Sequence, residues 1–201
     1  MKLYSMPSSG NSYKVRLLLS LLGREIEIVD VEDSSTEILE AKAQGRLPFG
    51  KAPVLELEGG RLLPESNAIL CYLGEGSAFM PEDGFARAQM LGWMFWEQNA
   101  HEGVIAVRAA LQSYKNRRHL ATPERMAELL ERGHALLQVM EDRLSAHDWL
   151  AGDAVSLADL CLYGYTHSAG SKGGFDMARF PGINRWIARV AALPGYKGLA
   201  A

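Results

Sequence analysis

Cysteine is scarce in this chain. Cys71 and Cys161 are the only two among 201 residues, and each lies in an apolar periodic run. They form no C-x-x-C and no metal-ligand spacing, which argues against a disulfide framework or a bound metal and reads both as reduced core residues. An excess of either charge is missing too. With 21 Lys and Arg against 24 Asp and Glu the formal net charge is −3, so no nucleic-acid partner is expected, since that favours a clustered basic face. The basic run at residues 115–118 precedes Thr122-Pro123 and reads as the solvated end of a helix. No apolar run approaches membrane-spanning length. Residues 2–7 are too short, and too early broken by Pro7, for a secretory leader. The expectation is a cytoplasmic protein with neither membrane nor nucleic acid as partner. What is present is apolar material, 48% of the residues, enough for one large domain or two small ones with a sizeable core.

The first 73 residues alternate strand and helix signals. Residues 2–6 read as a strand. In the next segment, residues 13–22, Val15, Leu18, Leu19 and Leu22 share one helical face and Gly23 closes it. Glu25-Ile26-Glu27-Ile28 alternates polar and apolar and runs into Val29-Asp30-Val31, a second strand. Two strands joined by a helix imply a right-handed βαβ unit with a parallel pair. Ser34-x-x-Glu37 has the capping-box pattern for a short helix to about Ala43. Residues 53–58 and 61–63 flank Gly59-Gly60, a two-residue hairpin signal. Residues 67–73 are helical again, with Ile69, Tyr72 and Leu73 on one face. The order is β-α-β-α-β-β-α.

Residues 74–84 carry three glycines and a proline and read as a linker. No strand signal follows. One long helix is predicted over residues 85–115. Within it, the polar residues 96–102 read as a solvated face or a contact for a partner subunit. Thr122-Pro123-Glu124 starts a helix running to about Ala146. Ser156-Leu157-Ala158-Asp159 is a capping-box variant, Pro181 starts a last helix, and Leu193-Pro194-Gly195 stops it. The domain boundaries are therefore 1–76, a linker 77–84, and an all-helical 85–201.

Between the first strand and the first helix lies Pro7-Ser8-Ser9-Gly10-Asn11-Ser12. A helix start exposes unpaired N–H groups and the positive end of the helix dipole. A hydroxyl placed there either caps the helix or donates to an anionic ligand atom. Ser9 has both readings open.

Gly50-Lys51-Ala52-Pro53-Val54-Leu55 is similar to the G-K-x-P-V-L of the cytosolic glutathione S-transferase family, in which the proline is cis. Glu65-Ser66-Asn67-Ala68-Ile69-x-x-Tyr72-Leu73 resembles its E-S-x-A-I-x-x-Y-L. The second half resembles the family in Ser156-x-Ala158-Asp159-x-x-x-Tyr163, in Phe180-Pro181-x-x-x-Arg185-Trp186 and in Leu193-Pro194-Gly195-Tyr196. The likeness spans nearly the whole chain. It implies a thioredoxin-like βαβαββα domain followed by an all-helical one. It also implies a homodimer and a function in detoxification, with glutathione as substrate and no metal.

The resemblance also assigns residues. Ser9 matches the catalytic serine of theta-, zeta- and delta-like members, and Ser9 with Asn11 resembles the Thr and Asn of bacterial nu-like members. Where beta-like members have cysteine this chain has Gly10, so no mixed disulfide with the protein is expected. The glutathione site is then Ser9 and Asn11 at the sulfur, Lys51, Ala52 and Pro53 along the peptide, and Glu65 and Ser66 at the γ-glutamyl ammonium and carboxylate. Ser12 is left as the helix cap. Arg46 and Lys51 are candidates for the glycyl carboxylate. Leu47-Pro48-Phe49 stands where members often have Asn-Pro. A hydrophobic electrophile is expected between the two halves, with Trp93 and Trp96 as candidates for its wall. His101 is a candidate general base, weighed against a place in a solvated face. The thiolate would attack small electrophiles, peroxides or disulfides. The alternatives are a glutathione-dependent isomerase and a non-enzymatic scaffold of the same fold.

Overall fold

The alternating first segment forms a four-stranded sheet in the computed structural model, which describes residues 1–199. Strand β1 (Lys2–Ser5) is followed by α1 (Gly10–Leu21), β2 (Glu27–Asp30), α2 (Thr36–Ala43), β3 (Val54–Glu56), β4 (Leu62–Pro64) and α3 (Ser66–Gly74). The strand order is β2-β1-β3-β4. β1 runs parallel to β2 and antiparallel to β3, and β3 is antiparallel to β4. The pleat assigns the two faces. Tyr4 and Val54, paired across the sheet, lie in one cluster with Ile38 and Ala41 of α2. Leu3 and Leu55 point the other way and are fully buried, as are Val15 and Leu18 of α1 and Ile69 of α3, two helices that pack on each other. This is the thioredoxin-like arrangement that the resemblance implies.

Details differ from the sequence reading. The hairpin is joined by a short 3₁₀ turn, Glu58–Gly60, with Gly59 and Gly60 at φ of 78° and 77°, and not by a tight two-residue turn. The cap of α2 is Ser35, whose side chain accepts from the Ile38 N–H at 3.3 Å; Ser34 sits at φ 64°. Tyr72, expected on the buried face of α3, is half exposed, and Cys71 is only partly buried.

The chain divides into two compact units, Met1–Met80 with the tail from Ala191, and Pro81–Val190. The sequence reading carries the helical domain to residue 201, whereas the tail groups with the sheet unit. There Ser20 Oγ donates to the Gly195 carbonyl at 2.6 Å and Tyr13 Oη to the Lys197 carbonyl at 2.9 Å. Gly195 has φ 85°, and a Cβ on it would lie 2.9 Å from the Ser20 carbonyl oxygen, so the close approach requires glycine.

The second unit is helical. It contains α4 (Gly84–Trp96), a π turn (Glu97–His101), α5 (Glu102–Ser113), α6 (Pro123–Ala146), α7 (Leu157–Thr166), α8 (Ala169–Gly173) and α9 (Pro181–Ala191). The single long helix expected over residues 85–115 is thus broken in register by the π turn. Glu97 and His101, read as members of a solvated polar stretch, are fully buried. They fall on the same stripe as Met90, Met94, Val104 and Ile105, which are also buried. Thr122 caps α6 by accepting from the Arg125 N–H at 3.3 Å.

Two buried carboxylates tie this unit together. One is Asp159 of α7, which accepts from Trp186 Nε1–H of α9 at 2.9 Å. Glu141 on α6, 7% exposed, accepts the N–H groups of Gly182 and Ile183 at 2.8 and 2.9 Å. It thereby supplies the first turn of α9 with the acceptors that a helix start lacks. Glu141→Ala should lower stability by about 2–3 kcal/mol, the cost of losing bonds to a charged acceptor. Thermal or urea unfolding reads the change, and Glu141→Gln should recover part of it.

Candidate functional site

The strand registers gather the site at one end of the sheet. Tyr4 pairs with Val54 and Val54 with Pro64. The residues just outside these pairs are therefore Ser5 at the end of β1, Pro53 before β3 and Glu65 after β4. The loop to α1 leaves from the same end, and α3 begins there. Two helix N-termini and one strand start face a common region.

The loop after β1 is held from three directions. Ser8 donates through its hydroxyl and its N–H to the Glu32 carboxylate, at 2.6 and 3.0 Å. Arg16 donates to Ser5 Oγ and to the Pro7 carbonyl, both at 3.0 Å. Burial pulls the Arg16 pKa down, against the opposing pull of Asp30 and Glu32; an arginine stays cationic regardless. Ser12 Oγ accepts from the Met6 N–H at 2.9 Å and is fully buried. The assignment of Ser12 as the cap is therefore corrected: Ser9 is the N-cap of α1, its Oγ accepting from the Ser12 N–H at 3.4 Å. Helix α1 accordingly starts at Gly10, three residues earlier than the periodicity suggests. Capping uses an acceptor lone pair, and a hydroxyl also carries one O–H donor, so the two readings of Ser9 are compatible.

Asn11 lies in the first turn of α1. Its Oδ1 accepts from Ser66 Oγ at 3.3 Å, linking the starts of α1 and α3. Ser66 is 4% exposed and opens α3. Glu65, immediately before it, is exposed and holds φ 70°, ψ 114°. Non-glycine residues rarely occupy the left-handed region, and such strain costs about 1–3 kcal/mol and clusters at ligand sites. The Ala52–Pro53 peptide is cis, as the resemblance implies. Pro53 is buried, Ala52 partly so, and Lys51 is exposed. Arg46 pairs through Nη1 with Glu56 Oε1 at 3.4 Å. Glu56 also accepts the Tyr4 hydroxyl at 2.9 Å, and desolvation with this bond raises the Tyr4 pKa.

In the helical unit Trp93 and Trp96 are half-buried and meet edge to face, with centroids 5.4 Å apart. His101 is buried with Nε2 at 3.0 Å from Thr166 Oγ1, and Cys161 Sγ donates to Glu97 Oε2 at 3.3 Å. His101 is fully buried, so the solvated-face reading of it does not hold. Among the described residues no cluster of three or more His, Cys, Asp or Glu side chains has the arrangement of a metal site. No helix among them is long and apolar enough to cross a membrane.

Sequence reasoning brings Ser9, Asn11, Ala52, Pro53, Glu65 and Ser66 to this region but misses Glu32 and Arg16, which hold the loop. Ser8 and Glu32 are 24 residues apart, and nothing in local pattern couples them. The buried Glu97 and His101 were detectable, because their spacing continues the apolar stripe of α4 and α5.

Comparison with known proteins gives one family. Residues 3–78 match the family model described as glutathione S-transferase, N-terminal domain, and residues 104–194 match that of the C-terminal domain. A solved structure of a possible glutathione S-transferase from Rhodopseudomonas palustris is 42% identical, covers 100% of this chain and 98% of its own, and superposes with a TM-score of 0.93. Glutathione S-transferase 3 of Zea mays is 31% identical over 98% of this chain and 91% of its own length. A disulfide-bond oxidoreductase of Escherichia coli, YfcG, is 25% identical over 96% of this chain and 90% of its own. With both halves matched in sequence and the whole backbone matched in structure, the chain belongs to the glutathione S-transferase family.

Proposed function

We propose that this chain is a glutathione S-transferase that binds the tripeptide at the open end of its sheet and uses the thiolate as nucleophile. The observation that carries this is the link from Ser66 to Asn11, which joins two helix N-termini beside the cis Ala52–Pro53 peptide and Glu65. Each part suits one part of the ligand. The exposed Glu65 carboxylate takes the α-ammonium, and the backbone N–H groups at the start of α3 take the α-carboxylate while the Ser66 hydroxyl stays on Asn11. The Ala52 backbone pairs with the extended peptide, and Lys51 meets the glycyl carboxylate. Arg46 is the weaker candidate for that last contact, being paired with Glu56.

The sulfur then lies at Ser9 and Asn11. Only a thiolate is a good nucleophile, and a free thiol has a pKa of about 8.5. Ser9 O–H, the Asn11 amide N–H and the positive end of α1 stabilise the anion. With its carbonyl oxygen accepting from Ser66, Asn11 has its NH₂ as the donor end. The sulfur lone pair forms the bond to the electrophile, and the leaving group departs with its bonding pair. The protein works as a cytoplasmic homodimer in detoxification.

Disulfide reduction is a second reading. It is favoured by the likeness to the Escherichia coli oxidoreductase and by a Ser9-x-Asn11 pair that needs no protein cysteine. Rates with an aryl halide, a hydroperoxide and hydroxyethyl disulfide separate these chemistries. Calorimetric titration with glutathione tests the binding itself. Saturable binding is expected, with Glu65→Ala weaker by about tenfold or more, as for loss of a charge-assisted bond. No heat at millimolar glutathione would leave the scaffold reading in place.

A further inference from the structure

The parallel pair β1 and β2 closes with one last bond, from the Val31 N–H to the Ser5 carbonyl at 2.8 Å. Beyond it both strands leave the sheet side by side, β1 into the loop that carries Ser9 and β2 into the turn before α2. Glu32 stands at this fork, partly buried. Its Oε1 accepts the Ser8 hydroxyl at 2.6 Å and the Asp33 N–H at 2.9 Å, and its Oε2 accepts the Ser8 N–H at 3.0 Å. Its carbonyl accepts the Ser35 N–H at 3.1 Å and closes the turn that leads to the cap of α2. One residue therefore fixes two loops.

Ser8 adjoins Ser9, and the backbone between them is anchored on both sides. The Ser9 N–H donates to the Met6 carbonyl at 3.1 Å, and the Pro7 carbonyl accepts from Arg16 at 3.0 Å. The bonds to Glu32 come from a different strand and end on a charged acceptor, which makes them the stronger class. Stabilising an anion through fixed dipoles depends on donors held within about 0.5 Å of their working positions. Glu32 also has an effect of the opposite sign. Its negative charge disfavours a second anion nearby. Arg16, the cation of α1 that faces both Glu32 and Asp30, acts against that repulsion. The two roles of Glu32, tether and charge, thus move a bound thiol in opposite directions.

We propose that Glu32 is a positioning residue for the glutathione sulfur, holding Ser8 so that the Ser9 hydroxyl and the start of α1 keep the geometry that favours the thiolate. This role rests on the glutathione reading of that end of the sheet and adds to it a control exerted from β2.

Ultraviolet titration of glutathione bound to the full chain is the test, comparing wild type with Glu32→Ala, Glu32→Gln and Ser8→Ala. Glu32→Ala should raise the pKa of the bound thiol by about one unit. From a wild-type value about two units below the free one, that lowers the thiolate fraction at pH ~6.5 about fivefold. kcat/KM for an aryl halide at that pH should fall by the same factor, with glutathione affinity within about threefold. Glu32→Gln keeps one acceptor oxygen without the charge and should recover part of the change. Ser8→Ala is milder, deleting the hydroxyl bond and keeping the N–H bond, and should raise the thiol pKa by about half a unit. A lowered thiol pKa in both Glu32 variants would mean that the carboxylate acts through its charge, and overturns the positioning role. An unchanged value in Glu32→Ala or in Ser8→Ala overturns it as well. A wild-type thiol that ionises at the free value removes the glutathione reading and this role together, whereas a shifted wild type with unshifted variants removes this role alone.

Discussion

Ser9→Ala is expected to lower kcat/KM with an aryl halide by up to about 25-fold near neutral pH, as the thiolate fraction falls, while glutathione affinity stays within about threefold. The figure follows from the thiolate. Holding the bound thiol two units below its free pKa corresponds to about 2.7 kcal/mol of preference for the anion, and hydrogen bonds to that anion supply it. The substitution removes the O–H donor and the cap on the Ser12 N–H together. Caps contribute about 1 kcal/mol to stability, so the variant should still fold. Its loop keeps the Glu32, Arg16 and Ser12 tethers. Ser9→Thr retains both the donor and the acceptor and should recover most of the rate. A rate in Ser9→Ala within threefold of wild type would remove Ser9 from the chemistry and leave it a cap.

Asp159→Ala should be the most damaging substitution in the helical unit. The carboxylate is completely buried. It accepts from the Leu150 N–H at 3.0 Å, the Ser156 N–H at 2.9 Å, the Ser156 hydroxyl at 3.2 Å and Trp186 Nε1–H at 2.9 Å. One side chain thus completes the capping box of α7, fixes the turn after α6 and anchors the fully buried Trp186 of α9. Burial pushes its pKa up, and the four donors oppose that rise. Alanine leaves those donors buried without an acceptor, at about 1–3 kcal/mol each. A loss above about 4 kcal/mol is expected, in the range reserved for broken buried networks. At about 2–4 °C per kcal/mol for a chain of this size, the melting point should fall by about 10 °C or more. Asp159→Asn presents an NH₂ to donors and should recover little. A melting point within 3 °C of wild type would show that the network is not what holds α7 and α9.

Much of the architecture is legible in the sequence because local signals and burial agree. The β-α-β-α-β-β-α order, the Thr122 cap, the Ser156 to Asp159 box and the start at Pro181 all rest on short-range rules, and each element forms there. What is not legible has two causes. The first is that several serines compete for one cap. Ser9 and Ser12 are equal candidates by type, and only the backbone at Ser9 (φ −84°, ψ 131°) together with the Met6 to Ser12 bond separates them. The second is distance along the chain. Glu32 reaches Ser8, Arg16 reaches Pro7 and Ser66 reaches Asn11 only once the sheet has formed. Glu97 and His101 are a different case. Residue type says surface, while spacing along Met90, Met94, Glu97, His101, Val104 and Ile105 says core, and the whole stripe is buried, with Glu97 accepting from Cys161 and His101 bonded to Thr166.

In the proposed function, the end of the sheet bearing Ser9, Asn11, Glu65 and Ser66 holds glutathione as a thiolate. Titrating the ultraviolet absorbance of the bound thiolate against pH tests it most directly. The wild-type protein should show the enzyme-bound thiol ionising about two units below the free value of about 8.5, with Ser9→Ala returning it toward that value. A thiol that ionises at the free value when bound to the wild-type chain would contradict the claim.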